Sequence, residues 1–191
     1  MYYLSVATKK DIQFTSEGLK GQSFSNTKFT SCKFTLQQFR FSSFENCQFE
    51  FCDFSNALLF SSSFENCSFL ECKLSWINFK DTSLIKCDFE KTLLEGCTFE
   101  KQKLSDSLFE DSDLSSNYFI NCNLQGGKMQ NCNLYKAVFD HSNLTRTSFL
   151  GSNISGTLFQ DCKINKTIID LNGFISFGQS KGFVLEAQDK G

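Results

Sequence analysis

Every fifth residue from Phe14 to Ile169 is large and apolar. These 32 consecutive positions hold only Phe, Leu, Ile and one Met, with no slip of frame. Two residues earlier in the unit the side chain is mostly small. All ten cysteines stand there (Cys32, Cys47, Cys52, Cys67, Cys72, Cys87, Cys97, Cys122, Cys132 and Cys162), with residues such as Ala57, Ser62, Thr82, Ser107, Ala137 and Thr157 at other units. The three remaining positions are mainly Ser, Asn, Asp, Glu, Lys and Gln. A period of five matches neither the 3.6 of a helix nor the 2 of a strand. It matches a coil that turns a corner every five residues, with one large and one small side chain per side pointing inward. Four sides close a square turn of 20 residues, and turns stack as a parallel β-solenoid with a spacing of ~4.8 Å. Residues 12–171 supply about eight turns, a rod roughly 40 Å long.

Residues 20 apart then form columns, and the columns vary together. Phe14, Phe34 and Phe54 give way to Leu74, Leu94, Leu114 and Leu134, then Ile154. The opposite column reads Phe24, Phe44, Phe64, then Leu84, Leu104, Leu124, Leu144, then Ile164. Opposite sides change size at the same height, which supports a four-sided core. Burial of one such side chain contributes ~1.5–3 kcal/mol, so the core needs neither metals nor disulfides.

The five-residue unit resembles the motif A(D/N)LxX of the pentapeptide-repeat family. Cys47-Gln48-Phe49-Glu50-Phe51, Cys87-Asp88-Phe89-Glu90-Lys91 and Ala137-Val138-Phe139-Asp140-His141 carry it. The resemblance spans about 160 residues and implies an all-β fold, a right-handed quadrilateral parallel β-helix, here ending in a short helix. For function it implies little, because the fold hosts many roles.

Composition narrows the field. Net charge is −2, from 19 Lys+Arg against 21 Asp+Glu. That argues against direct nucleic-acid binding and against an acidic membrane surface. No apolar run approaches a membrane span, and the lysines near the start follow the apolar residues, the reverse of a signal peptide. The cysteine ladders Cys32, Cys52, Cys72 and Cys47, Cys67, Cys87 are poorly spaced for disulfides. They are expected to be small buried hydrophobes in a reducing, cytoplasmic location, with redox sensing as the alternative. The single histidine, His141, has no nucleophile assignable to it. No enzyme activity, metal or cofactor is expected.

Two surface features stand out. One side of the square, residues 27–31, 47–51 and their equivalents, holds Glu50, Glu71, Asp88, Glu90, Glu110, Asp111 and Asp170 against Lys28, Lys91 and Lys128, a net −4. It is either an ordinary solvated face or a docking strip for a positively charged partner. Outward aromatics are the second feature: Phe41, Phe51, Phe60, Trp76, Tyr118 and Tyr135. Tyr118, Val138 and Leu158 should stack as an apolar interaction stripe.

The ends follow different rules. Residues 1–11 offer a cap strand built on Tyr2, Tyr3, Leu4 and Val6. Residues 172–191 form a C-terminal segment in which a helix near 172–181 has Asn172 as N-cap and Gly182 at C′, followed by an extended Phe183-Val184-Leu185. This ending is similar to that of the quinolone-resistance (Qnr) branch of the family, with Asp170-Leu171 and Gly182-Phe183-Val184-Leu185 as the matching steps. The similarity implies a homodimer through Phe174, Phe177, Phe183, Val184 and Leu185. It also implies a DNA-mimicking partner of DNA gyrase or topoisomerase IV that protects the enzyme from quinolones or peptide poisons. Two rods end to end would reach ~80 Å, comparable to about 24 base pairs at ~3.4 Å each. The frame here is unbroken, so none of the protective loops of many Qnr proteins is carried over. A protein-binding scaffold or secreted effector is the alternative.

Overall fold

The computed structural model describes residues 6–186. Within them the chain winds as a solenoid with four faces. Face 1 carries residues 32–35, face 2 residues 37–40, face 3 residues 42–45 and face 4 residues 47–50, each repeating every 20 residues. Face 4 has a five-stranded parallel sheet: Ala7–Lys10, Thr27–Thr30, Gln48–Glu50, Ser68–Leu70 and Asp88–Glu90. Face 3 has four strands, from Ser23–Ser25 to Ser83–Ile85, and face 2 has Gln38–Arg40 with Leu58–Phe60, then four more from Thr98–Glu100 to Leu158–Gln160. Face 1 is joined by single bridges such as Lys33↔Asp53 and Asp53↔Lys73. Register between the strands is 20, for example Phe49↔Phe69 and Phe119↔Phe139, and among the described residues the one bridge that departs from it is Ile85↔Lys103.

The fifth-residue positions fill the axis. From Phe29 to Ile154 they are buried without exception. Phenylalanines one coil apart stack nearly parallel, as in Phe44–Phe64 (4.7 Å, 4°) and Phe119–Phe139 (4.8 Å, 5°). Those on adjacent faces meet edge-on, as in Phe49–Phe54 (5.2 Å, 78°). Both arrangements suit the ring quadrupole. The spacing of β-rungs therefore also sets a favourable spacing for the rings.

Corners fall two residues after the large side chains, and from Asp11 (φ 54°) to Lys166 (φ 54°) the backbone turns there through the left-handed region, except at helical Ser16 and at Asp81. Asn, Asp and Gly suit this conformation best. Gly126 (φ 73°) sits at one such corner, where a Cβ would fall 2.2 Å from Oδ1 of Asp106.

The small inward position has a second role that changes the account of the cysteines. The ladders between coils leave inward backbone groups without partners, and a polar residue at this position can serve two of them. Ser142 Oγ donates to Phe119 O (2.9 Å) and accepts from Cys122 N–H (3.0 Å). Ser112 does the same for Phe89 O and Thr92 N–H. Cys72 Sγ meets Cys52 N–H and Phe49 O at 3.4 Å. The cysteines are thus hydrogen-bonding adaptors as well as small hydrophobes, because a buried N–H or C=O needs a partner. All are free thiols. Burial pushes Cys97 and Cys132 up to about 12 and Cys122 up to about 11, which disfavours the reactive thiolate.

Ala7–Lys10 pairs with Thr27–Thr30 in register Ala7↔Thr27, so a strand within the expected segment adds one more rung to face 4. Val6 is exposed, and Tyr2, Tyr3 and Leu4 lie outside the described residues. A short helix α1 (Ser16–Leu19) replaces the first corner of face 2, capped by Thr15 Oγ1 accepting from Gly18 N–H, and still delivers Leu19 into the core. Helix α2 (Leu171–Ser180) is capped by Asp170, not Asn172: its carboxylate accepts from Gly173 N–H at 2.7 Å and from Gly151 N–H at 3.0 Å. Asp170 can reach back to the preceding coil, and these bonds hold its carboxyl below the usual range. Gly182 (φ 85°) closes the helix: its N–H donates to Gln179 O and Phe183 N–H to Gly178 O, both at 3.0 Å, a Schellman motif.

Removing one atom tests the adaptor role. Ser142→Ala strands Phe119 O and Cys122 N–H in the core and is expected to cost about 1–3 kcal/mol in denaturant unfolding. Ser142→Cys, which keeps both contacts, should cost clearly less.

Candidate protein-binding surfaces

The acidic residues of face 4 do not act as one strip. Glu50 lies against Lys28 Nζ at 2.7 Å, in a half-buried pair. In register, Leu70 separates Glu50 from Glu90. Asp88 turns its Oδ1 to Leu108 N–H (3.0 Å), and Asp111, at a corner, accepts from Asn131 Nδ2 (3.2 Å). Glu90 has Lys91 at 3.5 Å. Asp170 is occupied as the helix cap. What remains is a shorter run over the middle coils: Glu71, Asp88, Glu90, Glu110 and Asp111, with Lys91 among them. Asp111 and Asp113 flank inward Ser112, so they diverge onto different faces, and Asp113 accepts from Ser115 N–H.

At the C-terminal end the core is not sealed. Phe177 turns inward and meets Phe159 edge-on at 5.9 Å, so it covers the last coil. Phe174, Phe183, Val184 and Leu185 are exposed. With Ile175 and Phe177 they border an apolar cleft of about 420 Å³. Below it, a smaller cavity of about 130 Å³ opens among Phe159, Ile164, Ile169 and Phe174. Sequence spacing grouped the five tail residues together, but the direction of Phe177 depends on where α2 docks.

Face 2 carries the apolar features. Tyr118, Val138 and Leu158 are consecutive rung neighbours, and Tyr118 and Leu158 are exposed. Tyr135, at the edge of neighbouring face 1, lies under the Lys136 ammonium, 4.9 Å from the ring centroid. Lower on face 2 Leu58 and Phe60 project outward, bordered by the corner residues Leu36, Trp76 and Phe41. Leu36 and Leu58 belong to this patch although only its aromatics stand out in sequence. The available signal was an apolar residue at a corner position otherwise filled by polar residues or Gly.

His141 occupies an exposed corner between two carboxylates. Its Nδ1 is 2.7 Å from Asp140 Oδ1 and its Nε2 3.8 Å from Asp161 Oδ2. Among the described residues these three form the one His/carboxylate group compact enough to share an ion. No Ser, Thr or Cys side chain among the described residues hydrogen-bonds to the imidazole, so the chemistry it shows is that of an ion pair. The hydrogen bond that its Nδ1–H donates to the Asp140 carboxylate raises the pKa of His141 above the ordinary histidine value. The folded state thus favours imidazolium. Its contribution to stability is full below the unfolded pKa and is lost as pH rises through the folded value. NMR titration should show His141 titrating above the ordinary histidine value, and Asp140→Asn should bring it down.

A family model for a pentapeptide repeat region matches residues 42–116 and 92–169. No curated protein matches the chain. Among solved structures, a trypsin-treated form of QnrB1, a plasmid-mediated fluoroquinolone resistance protein, is similar with a TM-score of 0.69 at 15% identity. The match covers 96% of this chain and 100% of that one. A second trypsin-treated form gives 0.50 at 17% identity over 95% and 98%. HetL, a pentapeptide repeat protein involved in heterocyst differentiation regulation from the cyanobacterium Nostoc sp. strain PCC 7120, gives 0.46 at 14% identity over 87% and 91%. At these identities the likeness is one of fold.

Proposed function

Because the chain belongs to the pentapeptide-repeat family, whose filled core leaves only outer faces for function, we propose that it is a non-enzymatic, dimeric protein that binds DNA gyrase or topoisomerase IV. In this reading it protects the enzyme from quinolones or peptide poisons. The observation that carries the reading is the acidic run Glu71, Asp88, Glu90, Glu110 and Asp111. It places several carboxylates on successive rungs ~4.8 Å apart on a chain whose net charge is only −2. Such a run suits a basic DNA-binding saddle, and docking would compete with DNA or eject a drug-stalled complex. The fold-level likeness to QnrB1 supports the same reading. It requires a cytoplasmic location. The exposed Phe174, Phe183, Val184 and Leu185 would meet the same tail of a second copy and double the length of the rod.

A second reading rests on the stripe Tyr118, Val138 and Leu158. Here the chain is a scaffold or effector that binds a protein through face 2, unrelated to topoisomerases. It predicts no effect on supercoiling and loss of partner binding with Tyr118→Ala.

The deciding assay is gyrase supercoiling with purified protein, with and without ciprofloxacin, at two salt concentrations. Salt-sensitive inhibition or rescue from the drug is expected, and Glu90→Lys with Glu110→Lys should weaken it about tenfold or more. An unchanged effect in that variant removes the acidic run from the mechanism. Sedimentation should show a dimer that Phe183→Asp converts to a folded monomer; a persistent dimer rejects the tail interface.

A further inference from the structure

Four corners differ from all the others. The left-handed positions carry polar residues or Gly, except for Leu36, Phe41, Phe51 and Trp76. A positive φ crowds the Cβ of any such residue, and a corner side chain points into water. Each of the four is therefore unfavourable to folding on two separate counts, and strain of this kind concentrates at functional sites. Phe51 stands alone between faces 4 and 1. Leu36 (69% exposed), Phe41 (72%) and Trp76 (58%) border one area, the lower part of face 2, around Leu58 and Phe60.

Trp76 is seated there. Its indole lies across Gly96 one coil above, where a Cβ would fall 2.4 Å from Cε3 of the ring. The ring forms one wall of a cleft of about 210 Å³ that also involves Leu58, Phe60, Lys80 and Asp81. Beside the cleft the guanidinium of Arg40 lies over Phe60, 5.6 Å from the ring centroid, and its Nε donates to Gln38 Oε1 at 3.2 Å. Lys80 is paired with Glu100. Among the described residues no carboxylate pairs with Arg40, nor with Lys20 one rung below it. The patch thus combines a cleft walled by Trp76, Leu58 and Phe60 with a guanidinium that lies over an aromatic ring and has no carboxylate partner among the described residues.

We propose that this patch is a docking site for a segment of another protein in which a bulky apolar side chain stands next to a carboxylate. The apolar side chain enters the cleft against Trp76. The carboxylate accepts from Arg40, whose Nε is engaged by Gln38 and whose terminal N–H groups remain for a two-pronged contact. Trp and Arg are the residues that most often anchor protein interfaces. The site lies on the face opposite the acidic run, so it is independent of the topoisomerase reading.

Trp76 is the only tryptophan in the chain, so its fluorescence reports on the site directly. The probe is a phage library of random 12-residue peptides panned on the full-length protein. Enriched peptides are synthesised and titrated with excitation at 295 nm. The expected result is enrichment of Phe, Leu or Trp beside Asp or Glu, a blue shift of Trp76 emission, and roughly tenfold weaker binding to Arg40→Glu. Gly96→Asn should weaken binding as well. It evicts the indole from its seat while supplying a residue that other corners carry, and circular dichroism checks that both variants keep the fold. The proposal is overturned by a lack of enrichment, by enriched peptides without carboxylates, by unmoved Trp76 emission, or by binding indifferent to Arg40→Glu and Gly96→Asn. Quenching of Trp76 by oligo(dT) that high salt abolishes, with no peptide response, would assign the patch to nucleic acid and overturn it equally.

Discussion

Each coil must close a square in 20 residues, and the corner is the constraint on which everything else depends. A corner every fifth residue forces the backbone through the left-handed region. It also turns one N–H and one C=O inward, beyond the reach of the ladders that join the coils. The first demand is met by Asn, Asp, Gly and other polar residues at the corner itself. The second is met by Ser, Thr, Cys, Asn or Gln at the small inward position, whose side chain bridges to the coil below. Asn117 Oδ1 accepts from Cys97 N–H at 2.7 Å, and Gln102 Nε2 donates to Phe79 O at 2.8 Å. The abundance of cysteine follows from this need: a thiol is small and tolerates burial, and still donates and accepts weakly.

Once the corners are satisfied, the core follows from the rung spacing. Side chains in one column are separated by the β-repeat, and aromatic rings at that separation stack with a modest tilt. Phe fills the lower coils on faces 1, 3 and 4, while face 2 there alternates Leu19, Phe39 and Leu59. Higher up, Leu replaces Phe on faces 1 and 3 while Phe persists on face 2 and along most of face 4, so large and small residues alternate around the square. The scheme has no natural end. Ile164 is exposed, and α2 covers only part of the last coil through Phe177. The apolar surface left beyond it is a consequence of stacking identical units, because the last unit lacks the neighbour that covers every other one.

The axis of the rod is filled by side chains, so the surface it offers to partners lies on its faces, its corners and the cleft at its C-terminal end. The faces are not equivalent. Face 4 concentrates carboxylates in its middle coils, and opposite it face 2 concentrates apolar and aromatic side chains, bordered by three (Leu36, Phe41 and Trp76) at corners where the backbone disfavours bulk. The contrast arises entirely from outward positions, which the core leaves free to vary.

The repeat, the number of coils, the inward residues and the identity of each column were legible in the sequence. These depend only on spacing along the chain, and a period that never slips maps directly onto a coil that never changes length. The acidic run and the stripe at Tyr118, Val138 and Leu158 were legible for the same reason. Other features depend on which way a side chain leans and what stands one coil away. Spacing alone does not show that Lys28 neutralises Glu50, that Asp170 rather than Asn172 caps α2, or that Phe177 turns inward. Nor does it show that Ser142 serves two backbone groups, or that Gly96 is the seat of Trp76. Each joins residues from neighbouring coils or from the helix and the last coil, where contact is decided by side-chain direction and docking height. Periodicity placed the residues on their faces; only the stacked coils decided which of them touch.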